Sequence, residues 1–307
     1  MIGKHDPRHT DLDKLSPKQM GQLVSKHIYI SFNSKTGVSV NSRISETTVS
    51  HAGLYWNVEC SCHPTQWCTK HCYARHGHFA TWDKDEIDDL SNQQTKYLVN
   101  SILFNHYANA PQTEVDREAD SLVGRAMQLG FNNVRWNGGG DLSRGAVRLI
   151  NSVAARYPNF RIWGFSRRSD LLNELVPSPN VLFTVSLDPT TPPLGGLHGD
   201  SLFDLVKAAI SHGGRMAYAT EVPNDSLIPE LDAYIKDLSK GAARLDTIFG
   251  EHMGPRHTVV GHPRECPATQ GKNDVGCQSC QWCFMSESQR RAKNVTTPRE
   301  AFLLHKV

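Results

Sequence analysis

No stretch of this 307-residue chain is apolar over the roughly 18 residues that a membrane-crossing helix needs. The first twenty residues, MIGKHDPRHTDLDKLSPKQM, lack the apolar core of a secretory signal peptide. Charge of one sign is lacking too: 33 basic against 31 acidic residues give a formal net charge of +2 and a pI of about 8.1. That balance is too mild to argue for a nucleic-acid partner from charge alone. There is no low-complexity tract, no internal repeat and no clear linker. Disorder is excluded by a hydrophobic content of 38% against 21% charged residues. What remains is a globular chain, long enough for one large domain or two small ones, with no membrane partner and a cytoplasmic location expected.

Cysteine is absent between Cys72 and Cys266 and crowded at both sides of that gap. Cys60, Cys62, Cys68 and Cys72 fall in CSCHPTQWCTKHCYA, and Cys266, Cys277, Cys280 and Cys283 in CPATQGKNDVGCQSCQWC. In a reducing compartment, clustered thiols more often bind metal than form disulfides. The first group is spaced C-x-C-x5-C-x3-C, without the paired C-x2-C of zinc ribbons, and reads as a metal-binding loop. The second, C-x10-C-x2-C-x2-C, suits either zinc or a 4Fe–4S cluster.

Between the clusters the hydrophobic pattern alternates. A short helix is expected near 15–25, strands or extended loop over 27–50, and a strand over 53–58 (GLYWNV). Helices follow over 83–108 and 113–130, the latter ended by Gly130. Strands at 132–138, 160–166, 180–188, 215–222 and 245–252 then alternate with helices at 143–158, 169–176, 200–213 and 226–240. Such alternation means βαβ units and a parallel sheet. The predicted class is α/β, a partial (βα)6-type TIM barrel with a C-terminal cysteine-rich extension. Its divisions are 1–52, an N-terminal extension; 53–255, the barrel; and 256–307, the cysteine-rich region. Ligands of parallel α/β folds gather at the C-terminal strand ends. Here those ends carry Gly138 to Asp141, Ser166 to Arg168, Ser186 to Asp188, Thr220 with Glu221, and Glu251 with His252.

These residues carry two resemblances. A cysteine loop ending CYA, ahead of a βα series, resembles the cluster loop of the radical S-adenosylmethionine superfamily, although C-x5-C-x3-C departs from the common C-x3-C-x2-C spacing. FNSKTG (32–37), the CYA loop and the late CP…C..C..C element are together similar to the phage gene product 88 family. Its GNSK element is matched by Asn33, Ser34 and Lys35, and its cysteines by Cys62, Cys68 and Cys72. The late element is matched by Cys266, Pro267, Cys277, Cys280 and Cys283. The shared features span most of the chain.

The resemblance implies a 4Fe–4S cluster on Cys62, Cys68 and Cys72 that leaves one iron open to S-adenosylmethionine. It also implies an auxiliary 4Fe–4S cluster, or zinc, on Cys266, Cys277, Cys280 and Cys283. WNGGGD (136–141) resembles the superfamily's GGE element, with Asp141 for Glu; Gly138, Gly139 and Gly140 would let a ligand approach the backbone. Tyr73, Ser166, Arg168 and Ser186 complete the expected S-adenosylmethionine contacts. Ser169 serves equally as a plain helix cap there. No residue is assigned to catalysis, and Cys60 reads as structural.

The implied activity is reductive cleavage of S-adenosylmethionine to a 5′-deoxyadenosyl radical that abstracts hydrogen from substrate. The electron would come from a reductant such as flavodoxin or ferredoxin. A phage protein inside a bacterial host points to a modified DNA base or nucleotide as substrate, with Trp136 and the Arg167–Arg168 pair near the mouth to stack a base and meet phosphate; Trp163 could join them but reads better as a core residue of its strand. Two other readings explain the same cysteines. One is a zinc-stabilised nucleic-acid-binding protein with two four-cysteine sites and no catalysis. The other is a catalytic cluster in front with structural zinc behind.

Overall fold

A computed structural model describes residues 27–33, 37–42, 61–62, 64–71, 93–188, 190–192, 201, 204–205, 207–208, 216–220, 264–265 and 299–303. Several sequence expectations lie outside these residues: the helix at 15–25, the strand at 53–58, the start of the helix at 83–92, the helix at 226–240 and the strand at 245–252. The chain divides into two compact units, Met1–Gly164 with Glu174–Val181, and Phe165–Asn173 with Leu182–Val307.

The first unit begins with a hairpin. Strands β1 (Ile30–Asn33) and β2 (Gly37–Val40) pair antiparallel, from Ile30 opposite Val40 to Asn33 opposite Gly37. Strand β2 then runs parallel to β3 (Asn133–Trp136), with Ser39 opposite Arg135. Strand β3 runs parallel to β4 (Arg161–Ser166), from Asn133 opposite Arg161 to Trp136 opposite Gly164. The expected alternation thus holds around β3 and β4, and the hairpin strand β2 lies beside β3.

Among the described residues this unit has four helices: α1 (Gln66–His71), α2 (Gln93–Asn109), α3 (Gln112–Gln128) and α4 (Arg144–Arg156). Helix α3 buries Val115, Glu118, Ala119, Leu122, Val123 and Ala126, a 3–4 spacing that turns one stripe inward. It stops where Gly130 adopts φ +83° and the Phe131 N–H returns to the Ala126 carbonyl at 3.0 Å. Helix α4 starts at Ser143, whose hydroxyl accepts from the Ala146 N–H. It crosses α2 very closely at Gly145: a Cβ there would lie 1.7 Å from the Phe104 carbonyl oxygen. Arg148 reaches across the same seam and donates to the carbonyls of Tyr107 (2.7 Å), Ala108 (3.2 Å) and Ala110 (2.8 Å). Those carbonyls at and beyond the end of α2 otherwise need partners.

In the second unit, β5 (Val181–Leu187) runs parallel to β6 (Met216–Thr220), with Val185 opposite Met216. Strand β6 pairs in parallel with β8 (Arg299–Leu303), and β8 with β7 (Arg264–Glu265). The short helix α5 (Ser169–Leu172) covers less of the chain than the 169–176 expected. Ser201 accepts from the Asp204 N–H through its hydroxyl and from the Leu205 N–H through its carbonyl, which opens a helical turn near the start of the helix expected at 200–213. The chain is mixed α/β, with mostly parallel strands and intervening helices.

Candidate functional site

The glycine run closes β3 with a turn that uses left-handed backbone twice, at Asn137 (φ +55°) and Gly140 (φ +85°). Asparagine is among the few residues besides glycine that visit this region readily. The turn is clasped from the β1–β2 side. The Gly138 N–H donates to the Val40 carbonyl at 3.1 Å, and the Ser42 N–H to the Gly139 carbonyl at 2.9 Å. A Cβ at Gly138 would stand 2.2 Å from Asn41 Oδ1, and one at Gly140 would stand 2.1 Å from Ser42 Oγ. The close approach that Gly138 and Gly140 permit is therefore made by the chain's own Asn41 and Ser42. The sequence alone suggested a ligand for that role.

Ser61 completes the clasp. Its Oγ lies 2.9 Å from Ser42 Oγ and accepts from the Asp141 N–H at 2.9 Å. The Asp141 carboxylate turns back to accept from the Leu142 N–H at 2.7 Å, at the entrance to α4. Because Ser61 precedes Cys62, these contacts bring the start of the cysteine segment to the C-terminal end of β3. The segment then forms α1, which a reading as loop had missed. Thr65 Oγ1 accepts from the Cys68 N–H at 3.1 Å, an N-terminal cap that places Cys68 in the first turn. Cys62 and Cys68 are both half-buried.

Deeper contacts hold the clasp. The side chain of Asn100, on α2, is buried. Its Oδ1 accepts from the Tyr29 N–H at 2.6 Å, and its Nδ2 donates to the carbonyls of Tyr29 (2.9 Å) and Asn41 (2.7 Å). Glu118, only 3% exposed, accepts from the Ile28 N–H at 2.9 Å, from Arg125 at 3.0 Å and from the Tyr107 hydroxyl at 3.4 Å, and lies 2.7 Å from His27 Nδ1. Burial, reinforced by Glu118, raises the Tyr107 hydroxyl far above its ordinary range. Burial lowers Arg125, against the opposing pull of Glu118. On the α3–α4 seam, hydrogen bonds from Ser152 and Gln112 hold Asp116 below the usual carboxylate range. Those from Tyr157 and Arg156 do the same for Asp120.

The expected residues of the second unit are engaged among themselves. The Arg168 guanidinium forks onto Asp170 at 2.9 and 2.7 Å, and the Arg168 N–H donates to Ser166 Oγ at 3.1 Å. Arg167 pairs with Asp188 and donates to Thr191 Oγ1 at 2.8 Å. Asp188 also accepts from the N–H and hydroxyl of Thr190, both at 2.9 Å. Arg167 and Arg168 are buried, so neither is an open phosphate contact. Ser186 sits half-buried within β5, opposite Ala217 of β6. The base-stacking role considered for Trp136 also gives way, whereas the core reading favoured for Trp163 holds. Trp136 and Trp163 are core residues, 0% and 2% exposed, and Arg135 packs 5.6 Å from the Trp163 ring.

Cys60, Cys72, Tyr73, Cys266, Cys277, Cys280 and Cys283 lie outside the described residues, as do Ser34, Lys35, Glu221, Glu251 and His252. Among the described residues no three His, Cys, Asp or Glu side chains are grouped to hold a metal ion, and no helix is long and apolar enough to cross a membrane. What sequence reasoning missed at the site is Asn41, Ser42 and Ser61. The polar residues after GVSV and the serine between two cysteines were the available signals.

The fold and this site define a class: a mixed α/β protein in which a cysteine-bearing turn is fastened to a glycine loop at a strand's C-terminal end. The family model of gene product 88 matches residues 30–219, more than half of the 307. The chain belongs to the gene product 88 family. No curated protein and no solved structure matches it.

Proposed function

We infer that this chain is a radical S-adenosylmethionine enzyme with its cluster on Cys62, Cys68 and Cys72. The observation that carries this reading is the fastening of the Ser61–Cys62 segment to the glycine loop that ends β3. Ligands collect at such strand ends in parallel α/β sheets, and a cluster site needs several thiolates converging there. The residues present fit. Two half-buried thiols lie in this segment, Cys62 next to the fastened Ser61 and Cys68 in a capped turn, and Cys72 follows just beyond α1 as the third expected ligand. The partial six-stranded βα barrel is part of the same reading, supported by the parallel run β2–β3–β4 and the parallel pair β5–β6.

A cluster held by Cys62, Cys68 and Cys72 would supply the electron for reductive cleavage of S-adenosylmethionine to methionine and the 5′-deoxyadenosyl radical that takes hydrogen from substrate. The chain's own residues bind and orient. The Gly138–Gly140 loop and Asp141 sit beside Ser61, the residue before Cys62, and would meet the methionyl amino group, with Tyr73, Ser166 and Ser186 as further contacts. Arg168, whose Nε and Nη2 fork onto Asp170, would be a further contact to a ligand carboxylate. Cys266, Cys277, Cys280 and Cys283 would hold an auxiliary 4Fe–4S cluster or zinc. A flavodoxin- or ferredoxin-type reductant would supply electrons. The family's phage association supports a DNA base or nucleotide as substrate.

Iron, sulfide and zinc analysis with a visible spectrum tests this, after anaerobic purification of wild type and the C62A/C68A/C72A variant. About eight irons per chain, with about four lost in the variant, are expected, or about four with zinc at the second site. 5′-Deoxyadenosine should then form when a reductant and S-adenosylmethionine are added. A colourless protein holding only zinc would sink the radical reading in favour of a zinc-stabilised nucleic-acid-binding protein.

A further inference from the structure

We propose that Ser61 is the positioning residue for Cys62. Its hydroxyl fastens the turn before Cys62 to the glycine loop, so Cys62 leaves the C-terminal end of β3 from a fixed point. Consecutive Cα atoms lie about 3.8 Å apart, so holding Ser61 holds the backbone of Cys62. Ser61 is 2% exposed, and its Oγ meets two partners at once, the Asp141 N–H and Ser42 Oγ, each at 2.9 Å.

The partners are themselves fixed. The Ser42 N–H donates to the Gly139 carbonyl, and the preceding Asn41 carbonyl accepts from Asn100 at 2.7 Å. The clasp also explains Gly140. A Cβ there would stand 2.1 Å from Ser42 Oγ and 2.9 Å from Ser61 Oγ, at a backbone φ of +85° that side chains rarely adopt. Glycine at 140 is thus required by the two serines. A cysteine hung from a buried, doubly bonded neighbour starts its side chain from one fixed backbone position, which favours a thiolate ligand. The consequence for a cluster rests on the proposed function; the positioning of Cys62 does not.

The test follows alkylation of the full-length, metal-free, reduced protein by iodoacetamide, with the rate at each cysteine read by peptide mass spectrometry. Wild type is compared with Ser61→Ala, which removes the hydroxyl, and Gly140→Ala, which pries the clasp from the other side. Both variants should speed alkylation of Cys62 by about tenfold, the scale of one net buried hydrogen bond. Cys68, held by its own Thr65 cap, should stay close to its wild-type rate and serves as the internal control. An unchanged Cys62 rate in both variants overturns the proposal. So does equal acceleration at Cys62 and Cys68, which would mean general loosening. Iron analysis of wild type decides the cluster separately: no iron with a Cys62-specific acceleration removes the cluster reading and leaves Ser61 as the positioning residue.

Discussion

Asn100 shows how much of the site depends on one side chain far from it in sequence. Its amide satisfies the Tyr29 N–H and two carbonyls, those of Tyr29 and Asn41, inside the protein. Asn100→Ala strips one buried and two partly buried backbone groups of this partner at once. Each such loss costs about 1–3 kcal/mol, and partial relaxation brings the expected total to about 3 kcal/mol. It should appear as a lower urea midpoint with an unchanged slope. Asn100→Asp keeps the acceptor for Tyr29 but turns an oxygen toward both carbonyls, so it should not recover the loss; an Asp variant as stable as wild type would contradict the assignment. At this scale the sequence is legible in kind and silent on partner. The run of three glycines announces a close approach to the backbone. That Asn41 and Ser42, about a hundred residues upstream, make it could not be read, because nothing local pairs β2 with β3.

Elements between residues 93 and 188 were readable because their burial follows a single period: the α3 stripe recurs every three or four residues, and Gly130 ends it. Helix α1 was not, since metal-ligand spacing dominated the reading of its segment, although Thr65 three residues ahead of Cys68 was a cap signal in plain view. Two glycines on neighbouring helices separate propensity from packing. Gly124 lies mid-α3, exposed, with nothing within 4 Å of an added Cβ. Gly124→Ala should stabilise by about 0.5–1 kcal/mol through helix propensity and a less flexible unfolded chain. Gly145 sits in α4 against the Phe104 carbonyl, and a methyl there collides with backbone that cannot swing aside. Gly145→Ala should cost about 3 kcal/mol. Thermal denaturation of the pair should give shifts of opposite sign; the same sign for both would mean that the α2–α4 contact is looser than described.

Across the whole molecule, what the sequence hid was pairing between distant segments: β2 beside β3, and β8 from the far end of the chain beside β6. Such contacts are chosen by loop closure and burial together, and no local pattern encodes them. The chain crosses between its two units at 164/165, 173/174 and 181/182, so the units are not successive lengths of sequence. Acid should expose how the first unit is held. Asp116 accepts from Ser152 and Gln112, and Asp120 from Tyr157 and Arg156; both carboxyls are held below their ordinary value. A depressed carboxyl contributes stability that is complete above its unfolded pKa, about 3.9, and that disappears as pH falls through the folded one. Unfolding followed by circular dichroism should therefore show stability level down to about pH 5 and falling below it. Asp120→Asn should flatten that fall, lowering stability at neutral pH and changing it little at the acid end. High salt should weaken the Arg156 contribution, which is exposed, more than the Tyr157 hydrogen bond. A variant that loses the same stability at every pH would show that Asp120 acts through packing and not through its charge.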